Sequence, residues 1–184
     1  KMTGTKINSI DYSGGLAEMR AQTESGNVTW DVVDVVIADA IVGCDEGMFR
    51  PINVDMELAK APDGTAASKD FLDGTLKSEC FVPLIIYSTV FAYRDDAWGG
   101  KKPTSIRDVF DTKNFPGKRT LQKSPVNNLE WALLADGVPL AKIYDVLDTD
   151  EGKDRAFAKL ATIKKDVIWW TVGAVPPQLL ADGE

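Results

Sequence analysis

Asn27-Val28-Thr29-Trp30-Asp31-Val32-Val33-Asp34-Val35-Val36-Ile37 is the stretch on which the fold turns. From Val32 to Ile37 only Asp34 interrupts an apolar run, which suits a strand buried on both faces, as in a parallel sheet. On its N-terminal side, Thr5 to Ile10 is short and β-like, and Gly14-Gly15 opens an amphipathic helix through Leu16, Met19 and Thr23 that Gly26 stops. On its C-terminal side, Asp39 to Glu46 reads as a short helix ended by Gly47, and Met48 to Ile52 returns to extended chain.

Residues 53 to 79 are rich in Asp, Ala, Gly and Lys without a clear period, and read as a surface connection with a helical piece near Lys69 to Leu72. Phe81 to Tyr93 is then a long β-rich segment. At strand rise it would span about 40 Å, longer than a usual strand, so one strand is expected to serve two lobes.

From Pro103 the pattern restarts. Ser105 is placed to cap a helix carrying Ile106, Val109 and Phe110; Asn114-Phe115-Pro116-Gly117 is a turn; Lys118 to Gln122 is a strand. Pro125 is expected to start a helix through Leu129, Ala132 and Leu133 that ends at Gly137. Leu140 to Leu147 and Gly152 to Lys164 read as further helices, Val167 to Trp170 as a strand, and Pro176 to Ala181 as a helix with prolines in its first turn. Strands alternating with helices predict the α/β class.

Composition narrows function. The chain has 184 residues, 21 basic and 28 acidic side chains, a formal net charge of −7 and no histidine. An acidic balance argues against tracking nucleic-acid phosphates, which takes clustered Lys and Arg. Without histidine there is no Ser-His-Asp or Cys-His relay and no His-containing zinc site. No metal and no cofactor are expected, and the apolar run Phe81 to Ala92 is too short to cross a bilayer core of about 30 Å. The chain opens on Lys1-Met2-Thr3-Gly4, which reads as a turn before a strand and suggests a mature or truncated product.

Short motifs in order carry a resemblance: Thr3-Gly4-Thr5-Lys6-Ile7, then Trp30-Asp31-Val32-Val33, then Gly47-Met48-Phe49-Arg50-Pro51-Ile52, then Phe115-Pro116-Gly117-Lys118-Arg119. Together they resemble an extracellular solute-binding protein of an ABC importer, of the spermidine/putrescine-binding type. The resemblance runs to Leu180-Ala181-Asp182-Gly183-Glu184. It implies the two-lobed, type II periplasmic-binding fold with hinge closure on the ligand. In that picture residues 1–86 are part of a first α/β lobe lacking its first strand, and residues 87–184 are part of a second lobe whose remainder lies beyond the chain. It also implies an exported, periplasmic monomer whose partners are a small polar solute, a polyamine among the options, and an ABC permease in the inner membrane.

Candidate ligand residues lie where strands end, since open α/β sheets bind there. Asp39 could meet a cationic ligand or cap the helix that follows, and the cap is the preferred reading. Tyr87, Ser88 and Thr89 put an aromatic face and hydroxyls at the crossover, unless Tyr87 is core and the hydroxyls satisfy backbone. Ser124 and Asn127 open the helix after the strand that ends at Gln122. In polyamine binders those places are usually acidic; here they are neutral, a departure that counts against a polyamine. Trp170, Thr171 and Gly173 follow the last strand, where either Trp169 or Trp170 could offer a cation–π surface or both could pack under helices. For an exported protein Cys44 and Cys80 are explained as a disulfide, with a pair of buried thiols as the alternative.

A competing reading is the effector-sensing domain of a transcription regulator with a similar two-lobed fold, although no helix-turn-helix is recognisable. An enzyme using paired carboxylates, such as a glycosidase, ranks below both.

Overall fold

A computed structural model describes residues 4–12 and 14–183. The opening turn expected around Lys1 to Gly4 therefore lies largely outside the described residues. The chain divides into two compact units, Lys1–Tyr87 and Ser88–Glu184.

In the first unit, α1 (Ala17–Ser25) buries Met19 and ends at Gly26, whose φ of 67° turns the chain out of the helix. The Gly26 and Asn27 N–H groups cap it by donating to Thr23 and Gln22 carbonyls. Helix α2 (Ile37–Asp45) buries Ala40 and Gly43 on one face, and a Cβ at Gly43 would stand 2.3 Å from the Phe49 ring, so glycine lets ring and helix meet. Arg20 pairs with Glu46 at 2.7 Å, a solvent-exposed bridge that salt screens and that adds little to stability. The short α3 (Val54–Glu57) is capped by Asn53, and Asp55 accepts from the N–H and hydroxyl of Ser68 in α4 (Ala67–Asp70). Cys44 and Cys80 are joined by a disulfide.

The second unit holds the larger core. Helix α5 (Ile106–Phe110) starts at Ser105, where the Asp108 carboxylate accepts from the Thr104 and Ser105 N–H groups. Strand β1 (Arg119–Gln122) pairs in parallel with β2 (Val167–Trp170) in the register Arg119 to Val167 and Gln122 to Trp170. Helices α6 (Asn128–Ala135), α7 (Ile143–Leu147) and α8 (Asp150–Ala161) enclose Ala132, Leu133, Val138, Ile143 and Ala156. Leu129, Ala132 and Leu133 recur at the helical spacing that turns one face of α6 inward, and each large side chain so buried contributes about 2 kcal/mol. Helix α9 (Val175–Asp182) has prolines in its first turn, where no N–H partner is lost.

Arg119 is 8% exposed and its guanidinium donates to the carbonyls of Val109, Phe115 and Gly117. The Trp98 indole N–H donates to Pro116 in the same turn. The Phe-Pro-Gly turn is thus pinned from both sides.

Some expectations are corrected. Thr5 to Ile10, Asn27 to Val36 and Phe81 to Tyr93 form no sheet ladder, and Val32 is 91% exposed. An apolar run becomes a buried strand only where a partner supplies its ladder, and among the described residues only β1 and β2 pair. Ile37 belongs to α2, with Val36 as its N-cap, so Asp39 sits in the first turn and is not the cap. The helix expected from Pro125 begins at Asn128, because Asn127 at φ 67° and ψ −37° cannot be helical.

Candidate functional site

Parallel pairing brings the carboxyl ends of β1 and β2 side by side, and Lys123 N–H extends the pairing by donating to the Trp170 carbonyl at 2.8 Å. The loop after β1 is held from beneath by Asn128, buried at 3% exposure, whose amide donates to the Gln122 and Ser124 carbonyls at 2.7 Å each. The Ser124 hydroxyl accepts from the Val126 N–H. Asn127 points its amide toward Thr89, donating to the hydroxyl at 3.3 Å. The fold therefore brings Thr89 to the loop of Ser124 and Asn127, a loop with amide and hydroxyl groups, the single charge of Lys123 and no carboxylate, with Trp170 at the neighbouring strand end.

Ser88 precedes Thr89 on exposed chain, and Thr171 and Gly173 are exposed between β2 and α9. Of the strand tryptophans, Trp169 is 43% exposed and Trp170 is half-buried. Glu130, in the first turn of α6, has one carboxylate oxygen buried without a hydrogen-bond partner among the described residues.

Asp39 and Tyr87 belong to the first unit. Tyr87 is 61% exposed rather than core. Asp39 is half-buried, and it lies close enough to Tyr12 to act on that phenol. The Tyr12 pKa is raised by burial and further by the charges of Asp34, Asp39 and Glu18. Tyr12 packs edge-on to Trp30, ring centroids 5.4 Å apart, and its hydroxyl donates to the Asp34 carbonyl. Sequence reasoning missed this aromatic pair because its members are 18 positions apart with no common period. The first unit is also where the charge lies: residues 1–87 carry 7 basic and 14 acidic side chains, whereas residues 88–184 carry 14 of each.

A cleft of about 690 Å³ in the first unit, lined by Ile52, Asn53, Glu57, Lys77 and Glu79, includes none of the residues singled out from sequence. Among the described residues no cluster of acidic or cysteine side chains suits a metal ion, and no helix is long and apolar enough to cross a membrane.

The family model described as bacterial extracellular solute-binding protein matches residues 1–184. A protein named gamma-aminobutyric acid-binding protein, from Pseudomonas aeruginosa, is 40% identical over 181 residues, 98% of this chain and 49% of that one. Among solved structures, the PBP MotA from A. tumefaciens B6 in complex with glucopine is 38% identical with a TM-score of 0.79, covering 92% of this chain and 50% of that one. An ABC transporter substrate-binding protein from Bradyrhizobium japonicum is 33% identical with a TM-score of 0.77, covering 99% and 52%. The chain thus spans about half the length of the relatives it matches.

Proposed function

Because this chain belongs to the bacterial extracellular solute-binding protein family and has the α/β, type II periplasmic-binding fold, we propose that it supplies much of the ligand-binding part of an ABC importer's solute receptor. The receptor acts outside the inner membrane, captures a small polar solute between its lobes, performs no chemistry on it and delivers it to the permease. Closure is driven by the ligand's preference for the closed state.

The ligand class follows from the chemistry of the residues. The observation that carries it is the loop of Ser124 and Asn127 with Thr89 bonded to it, which offers amide and hydroxyl donors beside Lys123 and no carboxylate. Such a loop suits a carboxylate or hydroxyl, and would leave a second ammonium of a polyamine without a counter-charge. The first unit offers the opposite character, an excess of acidic side chains with Asp34, Asp39 and Glu18 acting on Tyr12 of the Tyr12–Trp30 pair, which suits one ammonium group. Relatives are named for gamma-aminobutyric acid or carry glucopine, which favours a small molecule bearing both an amino and a carboxylate group.

The polyamine implied by the sequence resemblance is the competing ligand, and the test sets the two against each other. Isothermal titration of the full-length mature protein is expected to show saturable binding of gamma-aminobutyric acid or an opine, with putrescine and spermidine silent. Binding of polyamines alone would overturn the assignment. The regulator reading has no feature of the chain in its favour once the family is known.

A further inference from the structure

Trp98 and Asn127 are the non-glycine residues with left-handed φ among the described residues. Trp98 lies in a single tight turn, Ala97–Gly100, at φ 56° and ψ 28°. For so bulky a side chain that conformation is an outlier, which persists only where the surroundings hold it. Here the ring is what is held. The Trp98 indole N–H donates to the Pro116 carbonyl at 2.7 Å, and the ring packs edge-on to buried Phe115 with centroids 5.2 Å apart and lies 6.1 Å from Tyr93. The Lys101 ammonium, at the exit of the turn, sits over the Phe115 ring at 4.7 Å. Glycine or asparagine would take the left-handed turn more readily, so what tryptophan contributes is the ring and its donor.

This anchor grips the turn that precedes β1, whereas Thr89, at the start of the same segment, meets Asn127 on the loop that follows β1. Residues 89–98 are thereby attached at both ends of the strand. Thr89 is four positions from Tyr93, the ring beside Trp98, and four residues reach at most about 14 Å. So short a tether passes a displacement of Trp98 on to the Thr89 hydroxyl. The Thr89–Asn127 bond is solvent-exposed and, at 3.3 Å, long, so its geometry depends on how the backbone is held on either side. On the Asn127 side buried Asn128 fixes the loop, and on the Thr89 side Trp98 is the fixed point.

We propose that Trp98 is a positioning residue for the candidate ligand loop: locked on the Phe115-Pro116 turn, it sets where Thr89 presents its hydroxyl to Asn127, and through that contact the affinity for a carboxylate-bearing solute. The effect on affinity rests on the function proposed above, whereas the dependence of the Thr89–Asn127 contact on Trp98 does not.

Two measurements on the full-length mature protein test it, using Trp98→Phe, Thr89→Val and the double variant. In unliganded protein labelled with 15N-asparagine, the Asn127 side-chain amide resonances are expected to move on Thr89→Val and to move the same way on Trp98→Phe, with the double variant matching Thr89→Val. Resonances that respond to Thr89→Val and stay unchanged in Trp98→Phe overturn the proposal. In titration calorimetry with gamma-aminobutyric acid and with glucopine, Trp98→Phe is expected to raise Kd about fivefold in the parent and not in the Thr89→Val background, the signature of two residues acting through one contact. Losses that simply add overturn it as well. Tyr93→Leu removes a ring beside Trp98 and should shift both readouts in the same direction to a smaller extent, so the test stands even if Trp98→Phe fails to fold. Gly152→Ala, whose added Cβ strains the α7–α8 corner, should lower the melting temperature and leave resonances and affinity as in the parent. If it weakens binding as much as Trp98→Phe does, the loss belongs to stability and the positioning role falls. Asn127 resonances that respond to Trp98→Phe while neither solute binds any form support the positioning role and count against the solute-receptor reading.

Discussion

A guanidinium 8% exposed needs acceptors, and Arg119 finds them in the carbonyls of the Phe-Pro-Gly turn and α5. Burial lowers its pKa, while Asp166 and Asp111 pull the other way. Arg119→Met should strand those carbonyls at about 1–3 kcal/mol each, a total loss near 3 kcal/mol or above by urea denaturation. Arg119→Lys should recover little, because an ammonium lacks the planar fork that reaches several oxygens. A lysine variant as stable as the parent would show that the fork is not what holds the turn. Asn127 poses the opposite problem. At φ 67° and ψ −37° a residue with a Cβ is strained, at a cost of about 1–3 kcal/mol, yet its amide is the one that reaches Thr89. Asn127→Gly should therefore raise stability by about 1 kcal/mol while weakening affinity for a carboxylate ligand several-fold. Calorimetry and thermal melting on one sample separate these effects, and a melting temperature that falls would mean the amide bond outweighs the strain. Sequence alone named Asn127 as a site residue but carried no sign of its backbone angle.

Helices were legible where their information is local. Gly26, Ser105 and the prolines at 176 and 177 mark ends and starts within a turn of where the structure has them. Strand pairing is not local: β1 finds β2 across 48 positions, and nothing within either segment names the other. The same gap explains Val32 to Ile37, whose composition reads as a buried strand although no ladder partner lies among the described residues. Gly152 shows how an element overrides propensity. In helix α8 alanine would be favoured over glycine by about 1 kcal/mol, but a Cβ there would sit 1.8 Å from the Val146 carbonyl oxygen. The α7–α8 corner must open to admit it, so Gly152→Ala should cost about 3 kcal/mol. Urea midpoints settle the sign, and a variant more stable than the parent would mean that the corner yields freely.

At the scale of the molecule, charge is distributed unequally between the two units. The negative excess lies within residues 1–87, where Asp39 acts on the Tyr12 phenol, whereas the loop at Asn127 holds one charged side chain, Lys123, and no carboxylate. The sequence could offer Asp39 only as a cap or a ligand contact. Val36 at the N-cap removes the first option, while Tyr12, on which Asp39 acts, comes from chain 27 positions away. If Asp39 holds an ammonium group, Asp39→Asn keeps the shape and removes the attraction. The unliganded protein should melt within about 0.5 kcal/mol of the parent, since the side chain caps nothing. The dissociation constant for the amino-acid ligand should rise about tenfold, equivalent to ~1.4 kcal/mol. Part of that loss should vanish at high salt, where the parent's own attraction is screened. A variant that binds as tightly as the parent would remove Asp39 from the site, and one that binds weakly only because it melts early would make the residue structural.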